Sequence, residues 1–227
     1  MTWPSTEQAL AEEQRRIAGT DPAPWLPPDR TLRVAAAFVA FRRGEQGPGH
    51  VGDRALVGAV LMDGDRLVRA RVLAGVAGAP YTPGLLALRE GPMLARALEP
   101  LVPDADVLLV DATGRDHPRR AGLALHLGVV LDVPSVGVTH RTLLAAGPGP
   151  APEPGSTAPL HLGDEQVGCW VRTAPGVRPV VAHAAWRTDA ATAAAVVTAC
   201  ARGSRTPEPL RQARRVARQA RAEQEAR

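Results

Sequence analysis

Apolar and polar positions in the first half of the chain predict an antiparallel meander. Leu32–Phe41 and Arg54–Met62 are apolar runs of strand length, joined by a Gly-rich loop at Gly44–Gly52. Asp63-Gly64-Asp65 is a hairpin turn signal, so Arg66–Leu73 is expected to pair antiparallel with the strand before it. These segments together predict a three-stranded meander.

The second half of the chain alternates short strands with helices. Val107–Val110 and Val133–Val138 are apolar runs separated by a helical segment, which is typical of a parallel, right-handed βαβ unit. Val167–Arg172 and Arg178–His183 predict a further hairpin around Pro175-Gly176. Combined with the meander, this order predicts an α/β fold, a ribonuclease H-like mixed sheet flanked by helices.

Four segments have helical character. Ser5–Ala18, Leu85–Leu98 and Asp189–Cys200 are predicted helices, and Pro92 is expected to bend or restart the second of them. From Pro209 to the end the chain predicts either a charged helix or a frayed tail.

The length and apolar content predict a single domain. A chain of 227 residues with 45% apolar content can bury one core without being divided. Ala145–Pro159 is rich in Gly and Pro and predicts a surface loop, not a domain boundary. We therefore expect one domain over residues 1–227, with a helix and connector in residues 1–30 and a basic tail in residues 201–227.

The cationic charge is entirely arginine and is concentrated at the C-terminus. None of the 27 cationic side chains is a lysine, and the net charge is +4. Eight Arg and three Glu after residue 200 give a net charge of +5, which leaves −1 for the first 200 residues. A basic tail on a near-neutral body predicts attraction to a polyanion such as DNA or RNA, with a solubilising helix face as the alternative.

The cysteines and the hydrophobic runs bear on location. Cys169 and Cys200 lack metal-type spacing and are expected to lie reduced in a core. The N-terminus has no basic and apolar leader, and no apolar run approaches 18 residues. These features predict a cytoplasmic protein without a membrane partner.

The stretch Leu108–Gly128 carries the clearest chemical signal. Its apolar start ends in Asp111, as in a buried strand whose last residue emerges at the sheet edge. Pro118 suits the first turn of a following helix, Gly122 leaves room for close backbone approach, and His126 lies further along. A carboxylate at the carboxyl end of a central strand is where α/β sheets place their chemistry, although an isolated Asp there is more often a helix N-cap.

Three blocks in this region resemble endonuclease V, a metal-dependent repair nuclease that acts beside deaminated adenine. They are Pro80–Glu90, Leu108–Gly128 and Asp132–Val138, and the resemblance extends from about Arg33 to Arg215. It implies a phosphodiester hydrolase that acts on inosine-containing DNA or RNA. It also implies a Mg²⁺ or Mn²⁺ cofactor if the centre is active, and none otherwise.

The family pattern has five catalytic positions, and this chain keeps two of them. Glu90 and Asp111 match the two acids expected to hold the metal. Phe38 stands where the family has an aspartate on the first strand. His140 stands where the family has a lysine and is a partial substitute at best, because imidazole is mostly neutral at pH 7. Trp186 stands where the family has a histidine.

Other residues match family positions that hold nucleic acid. In the family the turn Pro80-Tyr81-Thr82-Pro83 is a wedge that stacks into the duplex while the damaged base is flipped out; taken alone, it predicts a rigid surface loop. Arg119 and Arg120 are placed to meet phosphate near a helix N-terminus, or form a solvated turn. Ala112 departs from a family glycine and is expected to crowd the base pocket. The resemblance assigns nucleic-acid contacts to Tyr81, Pro80, Pro83, Gly84, Leu85, Gly114, His117, Arg119, Arg120, Gly122 and His126.

Three interpretations remain open at this point. The first is a nucleic-acid-binding relative of endonuclease V whose metal-dependent cleavage is lost or impaired. The second is an active Mg-dependent endonuclease that uses Glu90, Asp111 and a third acid, either Asp116 or Asp132. The third is a protein-binding adaptor on a vestigial nuclease fold, in which the arginine-rich tail recruits the partner.

Overall fold

The chain forms one mixed sheet with helices on both faces, seen in a computed structural model that describes residues 3–42 and 47–226. The helices are α1 (Glu7–Ala18), α2 (Leu86–Leu98), α3 (Leu123–Leu131), α4 (Ala190–Ala199) and α5 (Glu208–Glu225). The strands are β1 (Arg33–Phe41), β2 (Arg54–Asp63), β3 (Arg66–Val76), β4 (Val107–Val110), β5 (Ser135–Thr139), β6 (Thr157–Leu162), β7 (Glu165–Val171) and β8 (Val180–Ala184). Positions 43–46 of the loop predicted between the first two strands lie outside the described residues.

The strands lie in the order β3-β2-β1-β4-β5-β8-β7-β6. β1, β2 and β3 form the predicted antiparallel meander, and β4 and β5 run parallel to β1. β8 returns antiparallel to β5, and β7 and β6 continue the sheet beyond it. This arrangement confirms the predicted ribonuclease H-like fold, and it brings the carboxyl ends of β1, β4 and β5 to one edge of the sheet.

Strand alternation divides the apolar side chains between two cores. Leu108 of β4 belongs to the core beneath α1, α2 and α3, together with Leu10. Leu109 belongs to the core beneath α4 and α5, together with Leu210. Because both faces of β4 are covered, Asp111 emerges only at the strand's carboxyl end.

The C-terminal segment is a docked helix. Since α5 is continuous over Glu208–Glu225, the alternative of a frayed tail is wrong. Leu210, Ala213 and Ala217 face the sheet and are buried. At Gly58 of β2, an added Cβ atom would stand 2.5 Å from the Ala213 carbonyl oxygen and the Ala217 nitrogen. Only glycine allows the helix backbone to come this close to the strand.

The sequence prediction missed the edge strand β6. Thr157–Leu162 pairs antiparallel with β7, whereas its first residues were expected in the loop Ala145–Pro159. The signal was the alternation of buried Ala158 and Leu160 with exposed neighbours. Pro159 is tolerated because β6 lies at the edge of the sheet.

Two smaller predictions concern α2 and the cysteines. α2 is a single helix that runs through Pro92 without restarting. Cys169 and Cys200 are buried and unpaired, as expected, and burial raises the pKa of the Cys200 thiol to about 12. Across residues 3–42 and 47–226, no helix has the length and apolar character needed to cross a bilayer.

The packing of α5 on β2 predicts the effect of a single methyl group. Gly58→Ala is expected to lower the free energy of unfolding by about 1–3 kcal/mol, because the new Cβ atom pushes the α5 backbone off the sheet. Denaturant unfolding followed by circular dichroism measures this change. Gly149→Ala, which adds its Cβ atom in open space, is the matched control and should stay within about 0.5 kcal/mol. Equal free energies for the two variants would contradict the close packing.

Candidate functional site

Two carboxylates share a cavity at the carboxyl edge of the sheet. Asp111 directly follows β4, and its side chain is 35% exposed. Glu90 of α2 lines the same cavity, which has a volume of about 280 Å³. Phe38 of β1 also lines it, so the ring at the first-strand position lies at this site.

Glu90 is poorly solvated in this cavity. Burial raises its pKa to about 7; the cation Arg89 acts against this rise and the anion Asp111 adds to it. Arg89 is itself buried and bound elsewhere: it pairs with Asp53 at 3.0 Å and donates to the Ala79 carbonyl oxygen at 2.7 Å. Burial therefore outweighs the opposing charge of Arg89, which is also paired with Asp53, and the pKa of Glu90 stays raised.

A guanidinium group of the chain itself lies beside Asp111. Arg214 of α5 donates to Asp111 Oδ2 at 3.0 Å. Its Cζ lies 5.0 Å from the centre of the Phe38 ring, which is a cation–π distance. Arg218, one turn further along the helix, lies 5.7 Å from the same ring. A positive charge is therefore held against both Asp111 and Phe38.

Neither aspartate considered as a third acid joins the pair. Asp116 is buried, and its carboxylate accepts the backbone N–H groups of residues 143–145, each at 2.8 Å. Asp132 caps the end of α3, near the start of β5, and pairs with Arg187 at 2.9 Å. The prediction of a third acid at either position is wrong. Within the described ranges, no three His, Cys, Asp or Glu side chains are grouped so as to hold a metal ion.

His140 reaches the same edge of the sheet directly after β5. Its Nε2 lies 3.2 Å from Thr206 Oγ1. Burial and the charge of Arg205 lower its pKa, while Asp111 acts in the opposite direction. A neutral imidazole engaged with Thr206 does not supply the charge of an ammonium group.

A second cavity, of about 190 Å³, adjoins the first. Tyr81, Leu86 and Asp111 line both cavities. The side chain of Tyr81 stands at the surface, where the residue is 52% exposed. The walls of the second cavity include the predicted residues Pro83, Gly84 and His117, and also Ala112.

Three side chains hold the turn at Gly84, where φ is +78°. His117 Nε2 and Arg119 Nη2 both donate to the Gly84 carbonyl oxygen, at 3.1 Å and 3.0 Å. The backbone N–H of Arg119 donates to His117 Nδ1, so the proton of the neutral ring is on Nε2; burial lowers the pKa of His117 to about 4. Gln14 of α1 accepts a hydrogen bond from Arg119 Nε at 2.6 Å. The wall of the pocket is thus built from three separate segments.

The sequence model of the Endonuclease V family matches residues 27–215, which is most of the chain. The chain belongs to the endonuclease V family. The Endonuclease V of Methanothrix thermoacetophila is 39% identical over 212 residues, which cover 92% of this chain and 90% of that relative.

Solved structures of endonuclease V share the fold. The crystal structure of the Endonuclease V from Streptomyces avermitilis matches with a TM-score of 0.82 at 33% identity, covering 98% of this chain and 96% of that chain. The Endonuclease V of Ciona intestinalis, in complex with a 24mer DNA containing an inosine followed by a ribo-adenosine, matches with a TM-score of 0.77 at 21% identity. That match covers 96% of this chain and 99% of the Ciona chain, and it shows the common fold.

Trp186 lies away from the carboxylates of this endonuclease V family member. The N–H of Ser135, the first residue of β5, donates to the Trp186 carbonyl oxygen at 3.0 Å, and Ser135 Oγ accepts from the Trp186 N–H at 3.2 Å. β5 runs from Ser135 toward the edge that carries Asp111. Trp186 is therefore at the opposite edge, and the prediction that it stands at a catalytic position is wrong.

Two further histidines are buried in the structure. His183, three residues before Trp186, is buried, and its Nε2 lies 2.7 Å from Thr139 Oγ1. Because Thr139 lines the second cavity, His183 supports that part of its wall. His126 stacks on Trp3 with ring centres 4.6 Å apart, and burial lowers its pKa to about 4. The prediction that His126 contacts nucleic acid is wrong, because the ring is packed inside the protein.

The helix predicted around Pro118 begins only at Leu123. Arg119 and Arg120 lie in the turn and bend just before this helix, near its N-terminus as predicted, while their contact with phosphate stays a prediction. Arg120 donates to the Leu162 carbonyl oxygen at 2.7 Å, and Arg119 donates to the Gly84 carbonyl oxygen. Both guanidinium groups bind carbonyl groups of the protein itself.

Gly114 and Gly122 have no room for a side chain. A Cβ atom at Gly114 would overlap the Ala184 carbonyl oxygen, and one at Gly122 would overlap the backbone of Thr113. The close backbone approach predicted at Gly122 is confirmed. Both glycines are buried, and they let the loop that places Thr113 in the pocket wall pack closely. Leu85, another residue predicted to contact nucleic acid, is also buried.

Sequence analysis missed Arg214. Its signal was present, because arginines at positions 211, 214, 215 and 218 repeat at helical spacing and form one stripe. The sequence does not say which strand that stripe meets. The contact with Asp111 follows only from the docking of α5.

The raised pKa of Glu90 predicts a pH-dependent stability in metal-free, chelator-treated buffer. Its pKa is higher in the folded chain than in the unfolded one, so the stabilising effect of protonated Glu90 is lost as pH rises from about 4.5 to about 7. Glu90→Gln removes this loss. The free energy of unfolding of the variant, relative to that of the wild type, should therefore rise by about 2–3 kcal/mol between pH 4.5 and pH 8. Urea unfolding at a series of pH values measures the difference. Parallel pH profiles of the wild type and Glu90→Gln would contradict this prediction. Glu153→Gln, at an exposed loop residue, controls for the loss of one carboxylate.

Proposed function

We propose that this endonuclease V family member binds DNA or RNA carrying deaminated adenine (inosine), and that its metal-dependent phosphodiester cleavage is lost or impaired. The observation that carries the proposal is the contact of Arg214 with Asp111 and with the Phe38 ring, at 3.0 Å and 5.0 Å. The chain supplies a cation of its own to a carboxylate that would otherwise be available to a metal ion.

The donor atoms at this site do not fit a divalent ion. Mg²⁺ prefers an octahedral shell of hard oxygen ligands and needs carboxylates to hold it. Phe38 offers no oxygen, Glu90 is about half protonated at neutral pH, and Asp111 is paired with Arg214. An ion placed here would also lose hydration against an aromatic ring, which is unfavourable.

The nucleic-acid side of the proposal rests on the Tyr81 turn and the cavity beside it. The Tyr81 N–H donates to the Pro48 carbonyl oxygen at 2.6 Å, which anchors an exposed ring at the mouth of the cavity. An aromatic wedge next to a pocket suits the extraction of a base from a duplex. Inosine as the ligand is supported by the resemblance to endonuclease V, and the Endonuclease V of Ciona intestinalis was solved in complex with a DNA containing an inosine.

One pair of measurements on the same inosine-containing duplex tests the proposal. We expect the protein to bind the duplex in a gel-shift titration and to leave it intact in a nicking assay with Mg²⁺ or Mn²⁺. Asp111→Ala serves as the control for contaminating nuclease, because trace nicking that survives this change does not arise at the site. Robust nicking that Asp111→Ala abolishes would instead support an active endonuclease. Absence of both binding and nicking would contradict the nucleic-acid role.

Phe38 and Arg214 are the two residues proposed to prevent metal binding, and replacing both should restore it cooperatively. Phe38→Asp restores a carboxylate, yet Arg214 lies over that position and would pair with it, so this variant alone should gain little Mn²⁺ affinity. Phe38→Asp combined with Arg214→Ala should bind Mn²⁺ at least about tenfold more tightly than the wild type, as seen by electron paramagnetic resonance, and should raise cleavage. Arg214→Ala alone is the matched control. Equal Mn²⁺ affinity in all four proteins would refute the assignment of Phe38 and Arg214 to the metal position.

A further inference from the structure

One flank of α5 is lined with arginine. Positions 211, 214, 215 and 218 follow the i, i+3, i+4, i+7 spacing that places side chains on one side of a helix. This flank adjoins the buried face, and it is the side on which α5 meets Phe38 and Asp111. The opposite flank carries no arginine; it presents Gln212, Val216, Gln219 and Glu223.

The arginine flank forms one wall of a cavity. This cavity, of about 370 Å³, is lined by five arginines together with one serine and one threonine, and none of the lining residues in the described part of the chain carries a carboxylate. Arg205 also lines this cavity and is held in place, since its Nη2 donates to the carbonyl oxygens of His140 and Pro179, each at 3.0 Å. The lining residues are Ser204, Arg205, Thr206, Arg211, Arg214, Arg215 and Arg218.

The positive charge in this cavity is only partly compensated. Arg211 pairs with Glu208 at 2.6 Å while 46% of its side chain stays exposed. Arg215 donates to the neutral amide of Gln212 at 2.9 Å, and Arg218 lies against the Phe38 ring. Among the described residues, neither Arg215 nor Arg218 forms an ion pair with a carboxylate. Cations spaced at i, i+3 and i+4 repel one another, so an anion bound between them relieves that repulsion.

We propose that the arginine flank, defined as Arg211, Arg215 and Arg218 together with Arg205 of the same cavity, binds the phosphodiester backbone of a nucleic acid. The stripe from residue 211 to residue 218 spans about 10 Å along the helix axis, which is longer than a single phosphate group. Guanidinium groups match phosphate oxygens in a two-pronged geometry, and Ser204 and Thr206 add hydroxyl donors.

The position of the cavity favours a nucleic-acid strand over an isolated anion. Arg214 lines this cavity and also pairs with Asp111 at the carboxylate centre, the cavity that Glu90 and Asp111 share, so the two sites are adjacent. The carboxylate centre in turn shares Tyr81 with the base pocket. A strand whose base enters that pocket can therefore extend its backbone along α5. This inference rests on the proposed nucleic-acid function and identifies the surface that holds the backbone.

The test replaces the exposed arginines and keeps Arg214 in place. Arg211→Gln, Arg215→Gln and Arg218→Gln are combined in one variant, and its affinity for an inosine-containing duplex is titrated at several salt concentrations. We expect at least about tenfold weaker binding at low salt, and a salt dependence whose logarithmic slope is smaller by about 2–3, because three phosphate contacts are removed. Unchanged circular dichroism of the variant verifies that α5 remains folded.

A second triple variant provides the control for net charge. Arg15→Gln, Arg66→Gln and Arg96→Gln remove the same charge from exposed sites on other elements, and binding should change less than about threefold. If both triple variants lose affinity equally while the wild type binds, the arginine flank is not the backbone site, although the proposed function stands. If the wild type binds neither duplex nor single strand, the proposed function itself fails. Selective loss in the α5 variant supports the inference.

Discussion

The close contact between α5 and the sheet at Gly58 decides the character of the site. Because residue 58 has no side chain, the backbone of α5 at Ala213 and Ala217 lies directly on β2. Arg214 follows Ala213, and from this short distance its guanidinium reaches over β1 to Asp111 at the sheet edge. A helix held one side chain further away would carry the Arg214 guanidinium away from Asp111. The packing of small residues in the core thus sets the electrostatics at the surface.

The same contact explains how the fold accommodates two neighbouring acids. Glu90 and Asp111 repel each other when both are ionised, and the pKa of Glu90 near 7 reflects this together with burial. In a metal-dependent nuclease a divalent ion compensates such repulsion. Here Arg214 compensates Asp111, and Glu90 takes up a proton. The charge of Asp111 is thus balanced from within the chain, in a cavity that Phe38 also lines.

The second cavity, which Pro83, Gly84 and His117 line, is built independently of that charge balance. The Gly84 turn is held by His117, Arg119 and Gln14, all of them uncharged or bound to neutral groups at this point. Asp116 accepts three backbone N–H groups from the loop at residues 143–145 and so positions another wall of the pocket. None of these hydrogen bonds involves Glu90 or Asp111, so the walls of this pocket are held independently of the two carboxylates.

The sequence by itself determined the mixed sheet, the βαβ unit and the family, because each depends on local periodicity or on motifs within short segments. It placed Asp111 correctly at the carboxyl edge of the sheet, where parallel strands end together, and the family resemblance grouped Glu90 and Tyr81 with it. It misplaced Trp186 and His126, and it missed Arg214, because these depend on which end of a strand pair or which face of a helix meets a distant element. Only the tertiary structure decided that a C-terminal arginine neutralises the strand-end aspartate. That pairing joins residues 103 positions apart through the docking of a helix, which no local pattern encodes.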